Sequence, residues 1–398
     1  MIRVLFVDDE TRILEGMRRS MYCMRSEWQM RFADSGTHAL ESLEQEPADV
    51  VVSDMRMPDM DGVQLLAEVK RLYPQSMRLI LSGESDQERI IRATGPAQQY
   101  LSKPCDAPTL KTAIARTKKL KGLLTNKRLA EIVGSVDTLP SPPKAYQELL
   151  ASLRSDDAST DEIARIIRRD LAMTAKIVNI ANSGFFGLRT QVQTVERAMA
   201  FIGVDTITAL VLGQELFATE TPIAFPGFDL ERLAHHSFDT AACARAIARH
   251  ERLPGKLAEA AFLAGVLHDL GKLVLATRTP PAAGPQREQW LADTRTLIDT
   301  QHAEVGAYLL GLWSFPDAIV EAIAWHHDPA QCGEDTFGLC GVLHVADIMA
   351  HERFPNALDA ASGSLQTAYL EHLGLAGRWP EWQAAVPEME LTTTVRTL

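Results

Sequence analysis

Short apolar runs that break onto charged or hydroxyl residues limit the folds open to this chain more than any other feature. Val4-Leu5-Phe6-Val7 ends on Asp8-Asp9, Val50-Val51-Val52 ends on Ser53-Asp54, Arg78-Leu79-Ile80-Leu81 ends on Ser82, and Tyr100-Leu101-Ser102 ends on Lys103-Pro104. Such runs read as strands buried on both faces of a parallel sheet. Each delivers its polar residue to the carboxyl end of the sheet, where open α/β sheets place their chemistry. Between them, Ile13, Leu14, Met17 and Met21, then Ala39, Leu40 and Leu43, then Val63, Leu65, Leu66 and Val69 fall at helical spacing. Met30 and Phe32 supply one more short strand. The alternation predicts an α/β doubly wound parallel sheet of five strands.

The ordered set Asp8, Asp9, Asp54, Ser82 and Lys103 resembles the receiver domain of two-component response regulators, a flavodoxin-like fold, over about residues 1–120. The resemblance implies that Asp54 accepts a phosphoryl group from the histidine of a cognate histidine kinase. It implies Mg2+ held by Asp8, Asp9, Asp54 and the main-chain carbonyl of Arg56, with Ser82 and Lys103 on the phosphoryl oxygens. Tyr100 stands where receivers carry an aromatic switch that moves with the Ser82 position; plain core packing is compatible with that role. Lys103-Pro104 is similar to the family's cis peptide, although an X-Pro bond permits either isomer. The chemistry is coherent. A carboxylate attacks a dianionic phosphoryl group poorly until a divalent cation and an ammonium neutralise the charge. Three clustered carboxylates also repel one another without a cation bound through oxygen.

At 398 residues the chain has room for two or three domains. Its formal charge of -12 disfavours a broad phosphate-binding surface, so no nucleic-acid partner is expected. Cys23, Cys105, Cys243, Cys332 and Cys340 are scattered without C-x-x-C spacing, which fits a reducing compartment and speaks against a disulfide framework. Met1-Ile2-Arg3-Val4 enters a strand directly, and no apolar run approaches bilayer length. A cytoplasmic protein with no membrane partner is expected.

Leu110, Ala113 and Ile114 begin a helix that continues through Lys118-Lys119-Leu120-Lys121, a basic run that reads as a solvated face. A linking helix over 121–138 would join input to output and suits a homodimer. The proline-rich Leu139-Pro140-Ser141-Pro142-Pro143 then breaks the period. Beyond it the pattern is helical. Ser159-Thr160-Asp161-Glu162 forms a capping box, a helix through Leu171, Ala175 and Val178 stops at Asn182-Ser183-Gly184, and Thr194 and Asp205 are N-cap candidates. No helix-turn-helix with a basic recognition helix is present in the pattern. The expected division is a receiver domain at 1–120, the linking helix at 121–138, an all-α domain at 139–350 and a helical extension at 351–398. In that extension Trp379, Pro380 and Trp382 form a cap or a partner patch.

His236 shares a helical stripe with Leu233, Thr240, Ala244 and Ile247, and His268-Asp269 is expected within the helix of Ala261-Phe262-Leu263-Ala264-Gly265-Val266-Leu267, apolar on nearly every side. His302, His326-His327 and Asp347 are expected on three later helices. A single buried histidine is usually a hydrogen-bonded core residue, but a cation is a common way to hold several buried His and Asp together. The order His236, His268-Asp269, Asp347 resembles the HD superfamily of metal-dependent phosphohydrolases. The likeness is closest to its HDOD branch, over about residues 130–350. It rests also on Leu139-Pro140 with Pro142-Pro143, Ala181-Asn182-Ser183, Leu270-Gly271-Lys272, His302-Ala303-Glu304-Val305-Gly306, Glu321-Ala322-Ile323 and Val345-Ala346. The HDOD resemblance implies a signalling output that acts on a downstream signalling protein through contacts. The filled positions His236, His268, Asp269, His302, His326, His327 and Asp347 leave open an Fe, Mn or Zn site, and with it a phosphodiesterase acting on a cyclic dinucleotide. Against that activity, His326-His327 runs into Asp328-Pro329 rather than the Gly-Tyr-Pro of the cyclic di-GMP hydrolases.

Overall fold

A computed structural model describes residues 1–82, 96–103, 105, 107–123, 127–134, 136, 148–149, 152, 159–182, 191–203, 207, 223–278, 284–313, 315–353 and 364–386. Pro104, the 139–143 proline segment, Ser183-Gly184, Asp205 and the side chains of Ser82, Tyr100, Lys118, Lys119 and Lys121 lie outside this description.

The amino-terminal part runs β1 (Ile2–Val7), α1 (Thr11–Ser20), β2 (Trp28–Ala33), α2 (Gly36–Gln45), β3 (Val50–Asp54), α3 (Gly62–Leu72), β4 (Met77–Ser82), β5 (Gln99–Ser102) and α4 (Ala107–Leu123). The five strands are all parallel, in the order β2-β1-β3-β4-β5. Alternation along the strands divides the core. Val4, Phe6, Val50, Val52, Leu79 and Leu81 face one side with Leu110 and Ile114, while Leu5, Val7, Val51 and Ile80 face the other with Leu65, Leu66 and Val69. The predicted sheet is therefore present.

Next come α5 (Lys127–Gly134), α6 (Thr160–Arg168), α7 (Leu171–Asn182), α8 (Val195–Ile202), α9 (Leu230–His250) and α10 (Gly255–Leu267). They are followed by α11 (Leu270–Ala276), α12 (Pro285–Leu312), α13 (Asp317–Ala324), α14 (Leu339–Arg353), α15 (Thr367–His372) and α16 (Trp379–Ala385). Local chemistry sets several boundaries. The hydroxyls of Ser159 and Thr194 each accept the N–H three residues on, as the sequence predicted. The Asn182 amide pairs with both backbone groups of Val192, which explains the Asn after Ala181 as a structural tie. No helix among the described residues is long and apolar enough to cross a membrane.

Three expectations need amendment, and one open alternative is decided. His268-Asp269 does not lie inside a helix: α10 ends at Leu267 and the pair forms the bend into α11. His326-His327 sits in the turn after α13, because the chain must leave the helix before Asp328-Pro329. Cys332 and Cys340 are joined as a disulfide, which their separate positions in sequence concealed. Trp382 is fully buried, stacks on Phe337 and donates its indole N–H to Glu251, so the carboxyl-terminal tryptophans include a cap on the helical core.

The two parts meet through specific polar contacts. Arg116 of α4 pairs with Asp317 at 3.0 Å and donates to the Phe315 carbonyl. Gln99 of β5 donates to the Leu312 carbonyl at 3.4 Å; within the helical part, Asn179 holds the same corner by donating to the Trp313 carbonyl at 3.3 Å. Arg78 is buried and donates to the carbonyls of Pro74, Ser76, Pro96 and Gly134, tying α5 to the sheet. Gly134 is required there, since a Cβ would sit 1.9 Å from the Pro74 oxygen. Arg78→Ala should lower unfolding stability by about 3–5 kcal/mol, because it strands several buried carbonyls. Arg78→Lys should recover little of this, since one ammonium cannot span four acceptors. Denaturant titration distinguishes the two variants.

Candidate phosphoacceptor site and histidine centre

At the carboxyl end of the sheet, β1 presents Asp8 and Asp9 and β3 presents Asp54, with one carboxylate oxygen from each within 4.8 Å of the others. Lys103, just past β5, reaches Asp54 Oδ1 at 2.6 Å and Asp8 Oδ2 at 3.0 Å. Glycine fixes the loop that carries Asp54. A Cβ at Gly62 would lie 2.0 Å from the Asp54 carbonyl oxygen, and Asp61 and Gln64 cap α3 reciprocally. Burial pushes the Asp54 carboxyl up, and Lys103 only partly offsets this. For Lys103, burial is outweighed by its hydrogen bonds to Asp54 and Asp8, so its ammonium is held more firmly. The donor set is three carboxylates, which suits a hard cation such as Mg2+. Arg56 lies in the loop two residues past Asp54, where its carbonyl was expected to serve.

The second centre gathers His236 from α9, His268 and Asp269 from the α10–α11 bend, His302 from α12, His326 and His327 from the turn after α13, and Asp347 from α14. All seven sequence-predicted residues meet. Glycines allow this approach. A Cβ at Gly265 would lie 2.4 Å from Ala241 Cα, and one at Gly271 would lie 1.9 Å from the His302 carbonyl oxygen.

The hydrogen bonds fix where the ring lone pairs point. His268 Nδ1 donates to the Gly265 carbonyl at 2.8 Å, His302 Nδ1 to Ile298 at 2.6 Å, and His326 Nδ1 to Ile323 at 2.7 Å. A carbonyl only accepts, so in the neutral rings the proton is on Nδ1 and the Nε2 lone pair faces inward. His268 Nε2 then faces Asp347 Oδ1 at 3.3 Å and Asp269 Oδ2 at 3.4 Å, lone pair against carboxylate. His302 Nε2 lies 3.3 Å from Asp269 Oδ1 and 3.0 Å from His327 Nε2. His326 Nε2 is buried and has no hydrogen-bond partner among the described residues.

Two buried carboxylates against these lone pairs favour positive charge in the centre, and Lys272 on Asp269 and the proton held by His268 supply it. The titration directions agree. Despite burial, the carboxylates of Asp269 and Asp347 hold His268 up, whereas burial drives His302 down to about 3. Burial and the neighbouring rings also push His326 well down. Asp269 presents Oδ2 to His236 and His268 and Oδ1 to His302, the geometry of a carboxylate shared between two halves of one centre. Lys272 pairs with Asp269 Oδ2 at 2.8 Å, in keeping with a local cation role.

Two residues escaped the sequence reading. His351 approaches Asp347 Oδ1 at 3.1 Å, and His344 donates from Nδ1 to the His326 carbonyl at 2.7 Å. The signal was available, because His344, Asp347 and His351 recur at helical spacing on α14.

A profile of the response regulator receiver domain matches residues 4–115, and one of the HDOD domain matches residues 139–329. The chain is a receiver domain followed by an HDOD domain. This receiver–HDOD protein is 34% identical to the hydrogenase transcriptional regulatory protein HoxA of Cupriavidus necator over 122 residues, 30% of this chain and 25% of that one. It is 29% identical over 240 residues to the transcriptional regulatory protein ZraR of Escherichia coli, 58% of this chain and 50% of that one. The matched stretches thus span half or less of either relative's own length. Among solved structures it is similar to the MmoQ response regulator of Methylococcus capsulatus, at 24% identity and a TM-score of 0.47, covering 62% of this chain and 98% of that one. Together the two domains are those of a response regulator.

Proposed function

We propose that this response regulator is phosphorylated on Asp54 by a histidine kinase and that its HDOD domain passes the signal to a downstream protein through contacts. The observation that carries this reading is the Lys103 ammonium, 2.6 Å from Asp54 Oδ1, with Asp8 and Asp9 beside it. These residues supply the cation site and the charge neutralisation that phosphoryl transfer to a carboxylate demands. Mg2+ would be held by Asp8, Asp9, Asp54 and the Arg56 carbonyl. Ser82 and Tyr100 would respond to the added charge. The route outward is supported by Gln99, next to Tyr100, and by Arg116, which grip the Leu312 carbonyl and the start of α13. A charged modification of this kind biases an existing packing arrangement rather than building a new one. A cytoplasmic homodimer without membrane or nucleic-acid partners belongs to the same reading. Acetyl phosphate with Mg2+ should label the wild-type chain and leave Asp54→Asn unlabelled. Equal labelling of both would overturn the assignment.

A second reading attaches to the HDOD domain, favoured by the inward lone pairs of His268, His302 and His326. Fe, Mn or Zn would be held by His236, His268, Asp269, His302, His326, His327 and Asp347. A bound metal of this kind supplies Lewis acidity toward a phosphoester. Elemental analysis of purified protein, followed by incubation with cyclic dinucleotides, separates a metal-holding scaffold from a phosphodiesterase. Absence of metal removes both, and metal without turnover leaves the scaffold.

A further inference from the structure

The Cys332–Cys340 bond joins two segments that both carry the histidine centre. Cys332 closes the short 3-10 turn Pro329–Cys332, five residues past His327. Cys340 lies in the first turn of α14 and shares a helical stripe with His344, Asp347 and His351. The two Cα atoms are 6.7 Å apart, within the span that a disulfide bridges without backbone movement. Cys340 is buried, whereas Cys332 is partly exposed and open to a small-molecule oxidant. The reduced form also has acceptors in place, since the Cys332 sulfur lies 3.8 Å from the Glu321 carbonyl oxygen and that of Cys340 3.7 Å from the Trp325 carbonyl oxygen.

We infer that Cys332 and Cys340 form a reversible thiol–disulfide site that clamps the His326-His327 turn onto α14. Without the bond, the turn is held on α14 by His344, whose Nδ1 donates to the His326 carbonyl and whose Nε2 accepts from the Gln366 N–H, and by the weak contact of the Cys340 thiol with the Trp325 carbonyl. The bond adds a covalent tie and closes a loop through Cys332, Cys340, His344 and His326. The oxidant is a low-molecular-weight disulfide. The Cys332 thiolate attacks one of its sulfurs and expels one small thiol; the Cys340 thiolate then attacks Cys332 Sγ and expels the second. Two protein thiols lose two electrons and two protons, and one small disulfide becomes two thiols. Cys243 takes no part, because burial pushes its thiol up to about 12.

The inference uses the position of the histidine centre and does not depend on a cation being there. Its test is therefore run on the metal-stripped full-length chain, equilibrated with glutathione disulfide or with dithiothreitol. Peptide mapping after denaturing alkylation should recover the Cys332–Cys340 cross-link from the first sample and two alkylated cysteines from the second. Amide hydrogen exchange across residues 325–332 should quicken by about tenfold on reduction, the sign of a local opening that the bond suppresses. Cys332→Ser, at the more exposed partner, should exchange at the fast rate in both buffers. Alkylation of both cysteines in glutathione disulfide, or equal exchange in the two buffers, would overturn the inference. Failure to find a metal would leave it standing.

Discussion

Gly271→Ala is expected to destabilise the helical domain by at least about 3 kcal/mol, although alanine is the better helix former by roughly 1 kcal/mol. The added methyl would lie 1.9 Å from the His302 carbonyl oxygen and 2.8 Å from the Gly306 nitrogen, both backbone atoms of α12 that no rotamer change can move. Relief requires α11 and α12 to separate, which draws Asp269 away from His302. The melting temperature should fall by about 6–12 °C for a domain of this size. Gly306→Ala is the matched control. Its methyl would meet the Gly271 nitrogen at 3.0 Å, a contact that a small shift relieves, so its cost should stay near 1 kcal/mol. Equal melting temperatures for the two variants would show that the glycine pair does not set this helix contact.

The metal-stripped protein should lose stability as the solution is acidified below pH 6.5, and His302 should be a principal cause. Burial drives its folded value from the ordinary 6.5 down to about 3. Between those limits the unfolded chain binds a proton that the folded chain refuses, so stability rises with pH and is lost as pH falls through the window. His326 is displaced in the same direction, while His268, held up by Asp269 and Asp347, opposes it. For His302 alone the loss between pH 7 and pH 5 comes to about 2 kcal/mol. Urea midpoints at the two values measure it, and His302→Leu should flatten the dependence by about that amount. A midpoint for the wild type that does not move would remove the buried neutral imidazole from the account.

The receiver half was nearly complete in the sequence. Residues buried on both faces must be apolar along their whole length, so Val4–Val7 and Val50–Val52 announced themselves as strands, and their terminal acids followed. The helical half was legible in composition and less so in detail. Periodicity placed His236 on the buried stripe of α9, yet it could not show that His268-Asp269 and His326-His327 leave their helices, because bends are set by what packs on either side. Arg78 shows the same limit. Its charge suggests solvent, and only the convergence of four carbonyls makes it a core residue.

By itself the sequence determined that Asp8, Asp9, Asp54 and Lys103 stand at the carboxyl ends of strands, and which residue types make up the histidine centre. These are properties of local pattern and side-chain chemistry. The tertiary structure alone decided which imidazole nitrogens face inward, that His351 joins the centre while His344 holds its His326 turn, that Cys332 reaches Cys340, and that Gln99 and Arg116 grip the α12–α13 elbow. Each of these depends on backbone carbonyls or side chains brought together from distant positions, and no spacing along the chain encodes them.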